Sequence, residues 1–151
     1  MRDDIFVIET ELTQEVLCTL ISMSEAWEAE QSCHGYRKNE RADIEGNRIF
    51  LAKAGDQTVG YLFGHRENTK QSSSVMAENT PVFEVEELYV RPEFRSSGIG
   101  TKLFLAAERA VSEEAEYILL STATKNWRAI LHFYIDEMGM EFWSARLFKR
   151  I

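Results

Sequence analysis

The stretch from Glu84 to Thr101, EVEELYVRPEFRSSGIGT, constrains this chain more than any other. It reads as a strand, a glycine turn and a helix start. Val82 to Val90 is rich in β-branched, aromatic and apolar residues, as a mostly buried strand is. Pro92 has no N–H to give a strand ladder and ends the run. Gly98 and Gly100 allow positive φ and a close approach to the backbone. Leu103, Phe104, Ala107, Ala110 and Val111 then recur at helical spacing. The first N–H groups of a helix have no partner inside it, and the helix dipole favours negative charge there, so this join is a natural cradle for a phosphate. On spacing alone, a plain turn and a phosphate loop are equally supported. The pattern is neither the GxGxxG of a dinucleotide fold, for no third glycine follows, nor a GxxxxGK[ST] nucleotide loop.

The remainder has to fit around that join. A chain of 151 residues suits a single domain spanning 1–151. Its 44% hydrophobic and 28% charged content is that of a folded globule. The net charge of −8 comes with no Lys/Arg cluster, which speaks against nucleic acid and suits a cationic small partner. Cys18 and Cys33 lack CxxC spacing, so neither a metal knuckle nor a disulfide framework is indicated, and Cys18 reads as a small core residue. Met1-Arg2-Asp3-Asp4 precedes no long apolar run, and no stretch reaches the roughly 20 apolar residues of a membrane span. The expectation is a cytoplasmic protein with no metal and no membrane partner, either monomeric or a homodimer.

Along the chain, Ile5 to Ile8 reads as a strand. Thr10 or Thr13 caps a helix that buries Leu12, Val16, Leu17, Leu20, Ile21, Met23 and Trp27. Glu25, Glu28 and Glu30 sit late in it, where carboxylates oppose the macrodipole and so do not serve helix stability. A short helix is expected within Tyr36 to Ile44, strands at Arg48–Ala54 and Thr58–Arg66 around a Gly55-Asp56 turn, and a long mobile loop at Glu67–Thr80. Tyr117 to Ser121 reads as a central parallel strand. A helix carrying Ile130, Leu131, Tyr134 and Met138 follows and stops at Gly139, ahead of two last strands, Glu141–Ser144 and Leu147–Arg150.

Arg95-Ser96-Ser97-Gly98-Ile99-Gly100 resembles the Arg/Gln-x-x-Gly-x-Gly/Ala loop with which the GNAT N-acetyltransferase superfamily grips the pyrophosphate of acetyl-CoA. Leu88-Tyr89-Val90-Arg91-Pro92-Glu93-Phe94 is similar to that family's fourth strand and its exit. The core of the match covers Val82 to Met140. The resemblance implies an α/β (α+β) fold with a mixed, mostly antiparallel sheet of six to seven strands and about four helices, splayed where acetyl-CoA inserts. It implies coenzyme contacts from Leu88, Tyr89 and Val90, from Arg95, Ser96, Ser97, Gly98, Ile99, Gly100 and Thr101, and from Asn126 at a helix start.

Amide formation from a thioester needs a base for the amine, a donor for the oxyanion and an acid for the thiolate. Glu84, Glu86 and Glu87 are carboxylates inside an apolar strand, costly unless paired or at a pocket. Alternation sets Glu84 and Glu86 on one face and Glu87 with Tyr89 on the other. GNAT strands carry a bulge here, so parity leaves the choice open; Glu86 ranks first as base, Glu87 second and Glu84 third, and Glu84 is also placed beside Glu25 and Glu28 on the acceptor. By resemblance Tyr134 protonates the thiolate, although the family spacing counted from Asn126 lands on Phe133 and needs a one-residue helix bulge to reach Tyr134. His65 and His34 stand out in no way. The implied activity is acetylation of a polyamine or aminoglycoside-like amine by direct attack. A protein N-terminal or lysine acetyltransferase is the alternative, and an acyl-CoA-binding sensor without turnover is the alternative of another class.

Overall fold

The computed structural model describes residues 4–151. The elements run β1 (Ile5–Thr10), α1 (Gln14–Glu30), α2 (Arg41–Ile44), β2 (Arg48–Ala54), β3 (Gln57–Asn68) and β4 (Pro81–Val90), then a 3-10 turn (Pro92–Phe94), α3 (Ile99–Val111), β5 (Tyr117–Leu120) and α4 (Trp127–Leu131). A π-helical segment, His132–Glu137, continues α4. The strands lie in the order β1-β2-β3-β4-β5, antiparallel up to β4, with β5 parallel to β4.

Residue period decides which face each side chain reaches. On β2, Ile49 and Leu51 join Leu17, Leu20 and Met23 of α1 in one core, while Phe50 and Ala52 join Leu103, Ala107 and Val111 of α3 in the other. The sheet is therefore the middle of three layers. Each fully buried Leu or Phe in these cores contributes about 1.5–3 kcal/mol relative to exposure. Thr13 caps α1, its hydroxyl oxygen accepting from the Val16 N–H at 3.2 Å.

Five strands are present among the described residues, not six or seven. Tyr117–Leu120 is the edge of the sheet rather than its centre, and Glu141–Ser144 and Leu147–Arg150 form no strands. Their alternation is strand-like, but a strand needs a partner edge, and the segment beyond Gly139 finds none; Leu147 and Phe148 are almost wholly exposed. Cys18 is exposed, one position off the buried stripe of α1. The long loop is slightly shorter than expected, because β3 runs on through Glu67 and Asn68, and it is tied by Thr69 N–H to Thr80 O (2.9 Å), by Asn79 N–H to Thr69 O (2.7 Å) and by a buried Met76.

Candidate active site

Two features of β4 set up the site. The first is a fork. Val82 to Val85 pair with Tyr117 to Leu120 of β5, and there the pairing stops, while β4 runs on to Val90. The carboxyl-terminal half of β4, with Leu88, Tyr89 and Val90, therefore presents one unpaired edge. The chain after β5 turns off to bridge another segment: His34 N–H donates to Ala123 O (2.9 Å) and Lys125 N–H to Ser32 O (2.8 Å).

The second is a bulge. Phe63 faces Glu87 and Gly64 faces Val85, so Glu86 is the extra residue. Parity flips across it: Phe83 and Val85 pack on the α3 side, and so do Leu88 and Val90. The simple alternation of the sequence is thereby corrected, and Glu84 falls on the same side as Glu87 and Tyr89. Gly64 makes the bulge feasible, since a Cβ there would stand 2.3 Å from the Glu84 carbonyl oxygen.

Beyond β4 the loop turns through two left-handed residues, Ser96 (φ 63°) and Gly98 (φ 83°), into α3. None of the backbone N–H groups from Ser96 to Thr101 finds an acceptor within the described residues; the first helical bond is Lys102 N–H to Gly98 O at 3.1 Å. These donors lie at the positive end of a 13-residue helix. The arrangement fits a diphosphate on the geometry of the donors themselves.

The three carboxylates of β4 have different surroundings. One oxygen of Glu87 accepts from Tyr61 Oη (2.7 Å), Asn39 Nδ2 (2.9 Å) and Tyr36 Oη (3.0 Å). Ser24 Oγ bonds Tyr36 Oη at 2.8 Å and accepts from the Asn39 N–H at 2.7 Å, extending the network to α1. Burial pushes the Glu87 carboxyl up, and the three donors offset that only in part. Glu84 is raised too, by burial first and then by the charges of Glu86 and Glu67. Glu86 is exposed and free of such ties, with His65 Nδ1 3.4 Å away. It lines a cavity of about 250 Å³ with Ala42, Asp43, Glu45, Asn47 and His65. Asn47 donates to the Asp43 and Ile44 carbonyls, which turns its amide oxygen toward His65 Nδ1 at 3.3 Å.

The α4 helix widens where the sequence count needed an added residue: Met138 N–H reaches back five residues to Phe133 O at 2.9 Å. The ring of Phe133 lies 3.4 Å from the position of a Cβ on Gly100. Tyr134 packs on Phe104, at 6.1 Å between ring centroids, and burial pushes its hydroxyl up to about 12.

A model of the acetyltransferase (GNAT) family matches residues 15–140. The chain belongs to that family. No curated protein matches it in sequence. Solved structures of similar fold include the aminoglycoside acetyltransferase AAC(6')-Iy in complex with the bisubstrate analogue CoA-S-monomethyl-acetylneamine, at 17% identity, TM-score 0.68 and 99% coverage of each chain. Another is the aminoglycoside acetyltransferase meta-AAC0020 from an uncultured soil metagenomic sample, in complex with sisomicin, at 19% identity, TM-score 0.66 and 97% coverage of each. A transcriptional regulator from Bacillus halodurans C-125 shares the fold at 21% identity and TM-score 0.68, covering 96% of this chain and 99% of that one.

In this GNAT acetyltransferase the carboxylates of α1 do not gather at the cavity. Glu28 accepts from the Lys38 backbone N–H at 2.8 Å and Glu25 pairs with the Lys38 ammonium at 3.6 Å, so both hold the loop after α1. Asn126 caps α4 through its position, and its N–H donates to Thr124 Oγ1 at 3.1 Å. Arg95 is bound to Glu30 and Val90. Sequence reasoning passed over Tyr36, Asn39 and Tyr61, which surround Glu87, and over Asp43, Glu45, Asn47 and His65, which line the cavity with Glu86. The cluster Asp43-Ile44-Glu45-Gly46-Asn47 was the available signal; the register that sets His65 opposite Glu84 is a product of the fold. No helix among the described residues is long and apolar enough to cross a membrane.

Proposed function

We propose that this GNAT acetyltransferase moves the acetyl group of acetyl-CoA to a primary amine of a small cationic acceptor, by direct attack in a ternary complex. The acidic cavity beside the bulge, where Asp43 and Glu45 join Glu86, carries the acceptor reading. A cavity with this charge attracts an ammonium, and more so a molecule bearing several. Two proteins of similar fold are aminoglycoside acetyltransferases in complex with CoA-S-monomethyl-acetylneamine and with sisomicin, which agrees with that chemistry.

Acetyl-CoA supplies an activated acyl carbon and a good leaving group. The cradle from Ser96 to Thr101 would bind its diphosphate, and the free edge of Leu88 to Val90 would align the arm and offer an N–H to the carbonyl oxygen. Glu86 is the exposed carboxylate of the three, with His65 Nδ1 beside it at 3.4 Å, and takes the proton from the acceptor ammonium. Glu87 is tied by three donors and shapes the acceptor side. The Tyr134 hydroxyl is the acid that the family resemblance implies and would give its proton to the departing sulfur.

The test is thiol release from acetyl-CoA with a panel of polyamines, aminoglycosides and peptides. Saturation is expected with the polycationic amines. Glu86→Gln should lower kcat about a hundredfold or more with coenzyme affinity unchanged. Turnover with peptides alone would favour protein acetylation instead, and coenzyme binding without turnover on any amine would favour a sensor.

A further inference from the structure

Arg95 opens the cradle, yet each of its three guanidinium nitrogens has a partner elsewhere in the fold. Nη1 lies 2.8 Å from Glu30 Oε1 and Nη2 donates to Glu30 Oε2 at 3.0 Å. Nε donates to the Val90 carbonyl at 2.8 Å. The guanidinium carbon stands 5.3 Å from the centroid of the Tyr89 ring, and Tyr89 donates its hydroxyl to Glu30 Oε2 at 2.6 Å. Two-pronged pairs of this kind are stronger and more directional than single ones.

Glu30 is the last residue of α1, where a carboxylate opposes the helix dipole. Helix stability therefore does not explain it. Burial works against its ionisation, but the bonds from Arg95 and Tyr89 and the Arg95 charge outweigh that and hold the carboxyl below its ordinary value. The residue directly after Arg95, Ser96, is a non-glycine residue at φ 63°. Such a conformation persists where the surroundings fix it. Here Arg95 ties the entry of the loop to the ends of α1 and β4, and the Ser97 hydroxyl donates to the Phe94 carbonyl within the turn.

We propose that Glu30 is a positioning residue for the coenzyme: it holds Arg95 as a strut, so that the diphosphate is bound by the main-chain N–H groups of the cradle and not by the Arg95 guanidinium. This rests on the coenzyme reading above. It differs from the direct coenzyme contact that the family resemblance implies for Arg95. A strut needs the fork of a guanidinium and an ionised partner. A direct phosphate ligand needs only positive charge, and loss of Glu30 would set that charge free.

The experiment is a double-mutant cycle on coenzyme A affinity, measured by calorimetry for wild type, Glu30→Gln, Arg95→Gln and the double variant, with Arg95→Lys alongside. A strut predicts that Glu30→Gln, Arg95→Gln and Arg95→Lys each weaken binding about tenfold, and that the double variant is no weaker than either single one. It also predicts that Glu30→Gln raises KM for acetyl-CoA about tenfold at near-constant kcat, while KM for acetylpantetheine, which has no diphosphate, changes less than twofold. A general loosening of the fold would raise both. Tighter or unchanged binding in Glu30→Gln, near-normal binding in Arg95→Lys, or additive losses in the double variant would overturn the strut. If wild type takes up no coenzyme A at all, the coenzyme reading falls with it; uptake with a failed cycle removes only the strut.

Discussion

Glu87, the second of the candidate bases in the sequence, shows how much a fold can gather around one carboxylate. It stands beside Glu86, but three donors converge on one of its oxygens. Removing the acceptor strands those donors: Glu87→Ala should cost about 2 kcal/mol or more in chemical denaturation. Glu87→Gln keeps a carbonyl oxygen for them and removes a buried charge. Because the Glu87 carboxyl is raised in the fold, the folded state holds its proton more tightly than the unfolded chain. Its contribution to stability is therefore full at low pH and lost as pH rises through the folded-state value. Glu87→Gln has no such loss, so its melting temperature relative to wild type should climb between about pH 4 and pH 7. A flat difference across that range would mean that Glu87 ionises in the fold as readily as in the unfolded chain.

At the scale of elements, the bulge of β4 and the π segment after α4 do parallel work. Each adds one residue to a regular element and re-aims the side chains beyond it. The bulge frees Glu86 toward the cavity and turns Glu87 toward α1. It depends on Gly64, whose place has no room for a methyl group between the Glu84 carbonyl and the Phe83 ring. Gly64→Ala should lose about 2 kcal/mol or more of stability and most turnover, because the β3–β4 register must shift. Wild-type denaturation midpoints in that variant would show that the strands tolerate the extra atom. The need for a helix bulge was legible in the family spacing counted from Asn126 to Phe133; a strand bulge was expected from the same resemblance, but its position was not legible, since Glu84, Glu86 and Glu87 give no register of their own.

Over the whole molecule, charge is the property that reaches furthest. The net charge is −8, and Asp43, Glu45 and Glu86 concentrate the sign at the cavity. Raising ionic strength from about 0.01 to about 0.15 M shortens the screening length from about 30 to about 8 Å, so KM for a polycationic acceptor should rise several-fold. A KM independent of salt would remove charge from the account of acceptor binding. The strand, glycine turn and helix around Arg95 to Thr101 were determined by the sequence alone, because backbone rules act between near neighbours: proline stops a ladder, glycine opens positive φ, and a helix start leaves its N–H groups unpaired. The ranges of β2 and α1 followed in the same way from period and capping. Only the tertiary structure decided which carboxylate is free and which is bound, that Arg95 is held by Glu30, and that the segment after Gly139 leaves the sheet with β5 at its edge. Those outcomes depend on partners from 26 to 65 residues away in the chain, such as Tyr61 for Glu87 and Glu30 for Arg95, and local patterning carries no information about which distant groups will meet.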